Sequence, residues 1–124
     1  MPLNVLLADD HADTLEILMR VLQRWGHSCT VAHSAVQARK AAVETRFDVL
    51  LCDYHLGDGT CCDVLEAIRQ LYPIYGVAVT GHGDEAHREQ VIAAGYADYL
   101  TKPVSLKLLK EILDAVEARR KSAA

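Results

Sequence analysis

The chain has 124 residues, 51% hydrophobic and 24% charged, with a formal net charge of −4. That length makes one domain with a core large enough to need no disulfide or metal staple, and the balance excludes disordered and fibrous classes. It also argues against a nucleic-acid-binding surface, since the only basic run, Arg119-Arg120-Lys121, lies at the far end, where it complements a helix C-terminus.

Met1-Pro2-Leu3-Asn4 lacks the charged start of a signal peptide, and no apolar stretch approaches the ~18 residues of a membrane helix. Cys29, Cys52, Cys61 and Cys62 show neither a C-x-x-C pair nor a metal-ligand spacing, so reduced thiols in a cytoplasmic protein are expected.

Leu3 to Ala8 is a short apolar strand ending in the acid pair Asp9-Asp10. A helix follows, with Asp13 as N-cap, Glu16 three residues on, an apolar face of Leu15, Leu18, Leu22 and Trp25, and Gly26 as its end. Ser28 to Ala32 is a second strand, and Ser34 with Gln37 offers a capping box for a helix to about Thr45. The third strand, from Val49, is four consecutive apolar residues stopping at Asp53, the pattern of a strand buried on both faces of a parallel sheet. An acid there either serves a ligand or merely opens a turn, and the stretch alone does not choose. Thr60 with Asp63 starts a third helix carrying Leu65, Ile68 and Leu71 before Pro73. Tyr75 to Thr80 is the fourth strand, followed by a Gly81-His82-Gly83 turn and a helix from Asp84 to Ala94 closed by Gly95. Ala97 to Thr101 is the fifth strand, ending in Lys102-Pro103, and a last helix carries Leu106, Leu109, Ile112, Leu113 and Val116.

Strands alternating with helices over short links imply an α/β fold: a doubly wound five-stranded parallel sheet with helices on both faces. Parallel strands put their carboxyl ends on one edge, so Asp9, Asp10, Asp53, Thr80 and Lys102 converge. Carboxylates in one crevice repel one another and call for a hard divalent cation, for which Mg²⁺ beside a phosphate group fits. A lysine and a hydroxyl to hold phosphoryl oxygens leave an aspartate as nucleophile, and metal-assisted phosphoryl transfer is the reaction class.

These residues resemble the receiver domain of two-component response regulators, and the resemblance implies the flavodoxin-like strand order 2-1-3-4-5 for the sheet. The likeness rests on the acid pair, Asp53, Thr80, the aromatic Tyr99 three residues before the lysine, and Lys102-Pro103, and it covers residues 1–121, with 122–124 as a tail. The segments Asp53-Tyr54-His55-Leu56, Ala78-Val79-Thr80-Gly81-His82-Gly83 and Leu100-Thr101-Lys102-Pro103-Val104 look like receivers attached to hybrid sensor histidine kinases. The resemblance implies that Asp53 accepts a phosphoryl group from a sensor histidine kinase or phosphotransfer protein. It implies that Asp10, Asp53 and the His55 carbonyl bind Mg²⁺ directly, with Asp9 acting through water, and that Thr80 and Lys102 hold the phosphoryl oxygens. Thr80 and Tyr99 would form the switch that remodels the surface offered to a downstream protein target, and a cis bond would join Lys102 to Pro103. The implied role is that of a signalling domain assisting its own phosphorylation and dephosphorylation, not an enzyme, and without membrane insertion.

Two departures fall in one loop: Gly57 replaces a usual proline and Cys61 a usual glycine, so the loop is expected to be more mobile. His55 and His82 stand two residues beyond Asp53 and Thr80, positions that flank the phosphoryl group in the family. With His11 they could be read as a zinc site, but solvated histidines on three loops are the expected reading. A flavodoxin-like carrier is disfavoured because Asp9-Asp10 repels a cofactor phosphate. A phosphatase with an aspartate nucleophile would carry a second acid where His55 stands. The remaining alternative is a pseudo-receiver, an interaction module not regulated by phosphorylation, against which the intact site argues.

Overall fold

The computed structural model describes residues 2–81 and 84–123. Strands β1 (Asn4–Ala8), β2 (Ser28–Ala32), β3 (Val49–Asp53), β4 (Tyr75–Thr80) and β5 (Asp98–Thr101) form one parallel sheet in the order β2-β1-β3-β4-β5. The helices are α1 (Ala12–Arg24), α2 (Ala35–Glu44), α3 (Cys61–Arg69), α4 (Arg88–Ala94) and α5 (Leu106–Ala123).

Alternation along the central strands divides the core in two, because successive side chains leave a strand on opposite faces. Val5, Leu7, Val49, Leu51, Val77 and Val79 pack with Leu15, Leu18 and Leu22 of α1 and Leu109, Leu113 and Val116 of α5. Leu6, Ala8, Leu50, Cys52 and Ala78 pack with Ala38 and Ala42 of α2, Val64, Leu65 and Ile68 of α3, and Val91 of α4. All five residues of β3 are buried, as a strand covered on both faces requires. Ala8 lies beside Cys52 in the register, which brings the next residues, Asp9 and Asp53, to the same edge.

Several helix boundaries depart from the sequence reading. The N-cap of α1 is His11, not Asp13: the Asp9 carboxylate accepts the His11 backbone N–H at 2.9 Å, turning the chain at once, and the helix starts at Ala12. Glu16 accordingly pairs with Arg20 at 2.6 Å instead of closing a capping box. Ser34 does cap α2, accepting from the Gln37 amide at 3.1 Å, but the Gln37 side chain accepts from His33 N–H at 2.8 Å, one residue upstream of the expected partner. In α3, Asp63 accepts from Thr60 N–H at 3.0 Å, while Leu71 lies past the helix end and is 54% exposed. The helix expected from Asp84 to Ala94 opens instead with a 3₁₀ turn, Asp84–His87, and only then becomes α4. β5 starts at Asp98, Leu106 is 43% exposed, and α5 continues to Ala123, into the segment read as a tail.

Candidate functional site

The carboxyl edge of the sheet carries a cavity of about 300 Å³ lined by Asp10, His11, Thr14, Asp53, His55, Gly81 and Lys102. Asp9 and Asp53 are buried, held by adjacent strands, whereas Asp10 is exposed at its mouth. The Lys102 ammonium reaches over both buried acids, 3.0 Å from Asp9 Oδ2 and 3.4 Å from Asp53 Oδ2. It arrives from the end of β5, where the Lys102 backbone N–H donates to the Thr80 carbonyl at 2.8 Å and the Lys102–Pro103 peptide bond is cis.

The electrostatics follow from one cation serving two buried carboxylates. Burial pushes the Asp53 carboxyl up to about 6, the Asp9 charge pushes the same way, and Lys102 only partly opposes them. Burial would also raise Asp9, but hydrogen bonds from the His11 amide, Lys102 and the His11 ring take it below the ordinary carboxylate range. Burial alone would lower Lys102, yet its bond to Asp9 and the charge of Asp53 raise it. Burial and charge thus push two acids of one crevice in opposite directions, a pattern that functional sites share with structural ion-pair networks.

Thr80 completes the edge in a different way. It is fully buried, and its hydroxyl is, among the described residues, the buried side-chain atom without a hydrogen-bond partner. Such an orphan costs roughly 1–3 kcal/mol.

Carboxylates from Asp9, Asp10 and Asp53 make a hard oxygen donor set, to which the His55 carbonyl can add, and this fits Mg²⁺. The set also gathers His11, which the sequence reading weighed with His55 and His82 as a zinc ligand and expected to be solvated instead. His11 Nδ1 lies 3.0 Å from Asp9 Oδ1 and 3.0 Å from Asp10 Oδ1, and those two acids raise its pKa. Its position next to the acid pair was the available signal. His82 lies outside the described residues.

The loop after Asp53 is tied down. His55 bridges to Thr60, Leu56 N–H donates to the Gly59 carbonyl at 3.0 Å, and Asp58 accepts from the Ala35 and Val36 amides at 2.7 and 3.0 Å. Gly57 has φ +82°, where proline cannot go, so this glycine sets a loop shape rather than only loosening one. The mobility expected from Gly57 is thus opposed by these bonds.

Tyr54, read as a packing residue, is buried, and its hydroxyl also donates to Gln90 Oε1 at 2.9 Å. Its ring stacks on His87 with centroids 4.2 Å apart, so the residue after the acceptor touches the start of α4. At the first residue of α4, Arg88 lies 5.7 Å over the half-buried Tyr99 ring. Tyr99 is therefore apart from the acid cluster, in the groove of Arg88, Thr101, Pro103 and Leu108.

A family model described as the response regulator receiver domain matches residues 5–114. The response regulator protein PilR of Pseudomonas aeruginosa is 35% identical over 111 residues, covering 89% of this chain and 25% of that protein. The transcriptional regulatory protein ZraR of Escherichia coli is 28% identical, covering 97% of this chain and 27% of the relative. This chain thus spans about a quarter of the length of the curated relatives it matches. Among solved structures, a response regulator receiver domain protein from Clostridium thermocellum superposes with a TM-score of 0.89 at 24% identity, covering 98% of this chain and 99% of that one. A chain of the Saccharomyces cerevisiae co-crystal of the histidine phosphotransfer protein Ypd1 with the Ssk1 receiver domain gives 0.82 at 23% identity, covering 90% and 86%.

Proposed function

This chain belongs to the response regulator receiver domain family, and from that premise we propose that Asp53 takes a phosphoryl group from a phosphohistidine, in a Mg²⁺-dependent transfer that switches a partner-binding surface. The observation that carries the reading is the buried Asp53 carboxylate with the Lys102 ammonium at 3.4 Å, on the same strand edge as the orphaned Thr80 hydroxyl. An Asp53 oxygen attacks phosphorus, the P–N bond breaks, and its electron pair leaves with the donor imidazole. Asp9, Asp10, Asp53 and the His55 carbonyl would hold Mg²⁺, which supplies charge neutralisation at the phosphoryl oxygens. Lys102 neutralises a further oxygen. Thr80 donates its unused hydrogen bond to another, and this new contact draws the end of β4 toward the phosphoryl group. The consequence spreads to the groove around Tyr99 and Arg88, the surface offered to a downstream protein. The chain acts as a signalling domain that assists its own phosphorylation and dephosphorylation, not as an enzyme turning over a separate substrate.

The donor's approach is supported by an apolar groove of about 580 Å³ beside the site, lined by Thr14, Ile17, Leu18, Pro103, Val104 and Leu106. Ile17 is 61% exposed there. A helix of a sensor histidine kinase or phosphotransfer protein fits this groove with its histidine over Asp53, and the relative co-crystallised with Ypd1 supports such a partner. The relatives compared above are named as regulators, so attachment to a hybrid kinase draws no support from them. A cytoplasmic setting is supported by four unpaired cysteines and by the lack, among the described residues, of a helix long and apolar enough to cross a membrane.

Incubation with acetyl phosphate and Mg²⁺ tests the reading. The wild type labels and Asp53→Asn does not; full labelling of the variant places the acceptor elsewhere. A wild type that takes no label under any Mg²⁺ concentration supports the pseudo-receiver instead.

A further inference from the structure

His11 turns its ring onto both members of the acid pair. Its Nδ1 is 3.0 Å from Asp9 Oδ1 and 3.0 Å from Asp10 Oδ1. One ligand atom from each of Asp9, Asp10, His11 and Asp53 can be chosen so that all lie within 4.8 Å of one another. Neighbouring ligands of an octahedral ion at ~2.1 Å stand about 3.0 Å apart, and opposite ones about 4.2 Å apart. The contacts of His11 with the acid pair therefore have the length of two edges of such a shell. The backbone keeps the residue there, because its own N–H is bonded to Asp9 at 2.9 Å. The ring is 65% exposed, so it can turn toward an ion at little packing cost.

Chemically, this nitrogen changes what the pocket prefers. Mg²⁺ takes oxygen ligands and gains little from imidazole, whereas Mn²⁺, Co²⁺, Ni²⁺ and Zn²⁺ accept imidazole readily and increasingly along the first transition row. We infer that His11 Nδ1 is a metal ligand of the acidic pocket, giving it a mixed nitrogen and oxygen donor set that favours a divalent first-row transition ion over Mg²⁺. The inference rests on the phosphoacceptor reading only in sharing its pocket. Mg²⁺ stays usable through the carboxylates alone, and His11 adds affinity for those ions that bind nitrogen.

The alternative role for the same contacts is an ion pair, in which the ring merely neutralises Asp9 and Asp10. The two roles give opposite results when the ring is removed. Mg²⁺ and Co²⁺ affinities are measured by calorimetry on the intact chain, wild type against His11→Ala and His11→Asn, at about pH 8 and again at about pH 9, because Asp9 and Asp10 raise this imidazole above its ordinary range and only the neutral ring can bind an ion. His11→Asn retains a residue suited to the N-cap of α1, so it guards against a helix-start defect. As a metal ligand, His11 gives both variants a Co²⁺ affinity lower by roughly tenfold or more with Mg²⁺ binding little changed. The visible absorption of bound Co²⁺ also shifts between wild type and variants as a nitrogen ligand is lost. If the variants bind both ions equally well or better than wild type, and the Co²⁺ spectrum is unchanged, the ion-pair role holds and the inference is overturned. Labelling by acetyl phosphate in Mg²⁺, run on the same samples, reports on the phosphoacceptor reading separately. Its loss in wild type sinks that reading whatever His11 does.

Discussion

The two edges of the sheet treat polar groups in opposite ways. At the amino edge each charged or buried polar group described below has a partner. Asp48 accepts from Asn4 N–H at 2.8 Å and from Arg120 at 2.9 Å, and Arg120 also reaches the Pro2 carbonyl at 3.0 Å. Buried His27 accepts from Leu3 N–H at 3.0 Å, and the Tyr75 hydroxyl donates to Asp98. The bonds of Asn4, His27 and Arg120 tie the chain start and α5 to the strands, and together with Tyr75–Asp98 they span sequence separations of 23 to 118 residues. At the carboxyl edge one ammonium serves two buried acids, and the Thr80 hydroxyl has no partner. The difference teaches where stability and function reside: the satisfied edge holds the fold, while the unsatisfied one keeps bonding capacity in reserve for the phosphoryl group, beside an acid cluster that could hold a metal ion.

Removing polar groups should therefore have opposite signs at the two edges. The largest effect is expected from Asp48→Ala, which leaves the partly buried Asn4 amide without its acceptor and the Arg120 guanidinium with the Pro2 carbonyl alone. A loss of about 1–3 kcal/mol in chemical denaturation is expected, with acetyl phosphate labelling kept at the distant edge. A stability within error of wild type would break the comparison. Thr80→Val does the reverse, exchanging an orphaned hydroxyl for a methyl of the same shape. It should stabilise the unphosphorylated domain by about 1 kcal/mol while blunting the conformational response to phosphorylation, read as smaller shifts at Tyr99 in amide NMR. Destabilisation by this variant would mean the hydroxyl is satisfied after all.

Asp53 gives the same contrast a pH signature. Its carboxyl holds its proton to about 6 when folded, against 3.8 for the free group, so the folded state binds more protons between those values. Stability must then fall as pH rises through that window. In metal-free buffer, Asp53→Asn should lie increasingly above wild type in melting temperature from about pH 4 to about pH 6 and keep a constant margin beyond. A constant margin across the whole range would show that Asp53 is not destabilised by its surroundings.

The sequence made the carboxyl edge legible and the amino edge nearly invisible, for a physical reason. Asp9, Asp10, Asp53, Thr80 and Lys102 sit at strand ends, and parallel pairing forces strand ends together whatever the side chains do. Asp48 meeting Arg120, or Tyr54 stacking on His87, depends on where helices pack and has no local sequence period to announce it. Boundaries failed for a related reason. Asp13 resembles an N-cap by type, but the turn was already made two residues earlier by the Asp9 side chain bonding to His11 N–H. Leu71 fits a helical stripe by spacing, yet its N–H closes on the Ile68 carbonyl at 2.8 Å and the chain leaves the helix. His11 was adjacent to the acid pair, but nothing in its spacing said the ring would turn back over both acids.

Asp58 offers the smallest effect and the finest test, because it joins the loop beside the site to a helix on the sheet's flank. Its two oxygens accept the Ala35 and Val36 amides, donors in the first turn of α2 that have no partner within the helix. A carboxylate there also meets the positive end of the helix dipole. These two bonds, Ala35 first, hold the Asp58 carboxyl below its ordinary value. For an acid lowered in the folded state, the stabilisation is complete above the unfolded value of 3.8 and disappears as pH falls through the folded one. Asp58→Asn should thus be slightly less stable than wild type at neutral pH, with the gap shrinking below about pH 4. Hydrogen exchange at Ala35 and Val36 should quicken in the variant at neutral pH, since both amides lose a charged acceptor. If exchange there is unaltered while Asp58 is replaced, the loop is held by His55, Leu56 and Gly59 alone, and the tie between the site and α2 is not a source of its order.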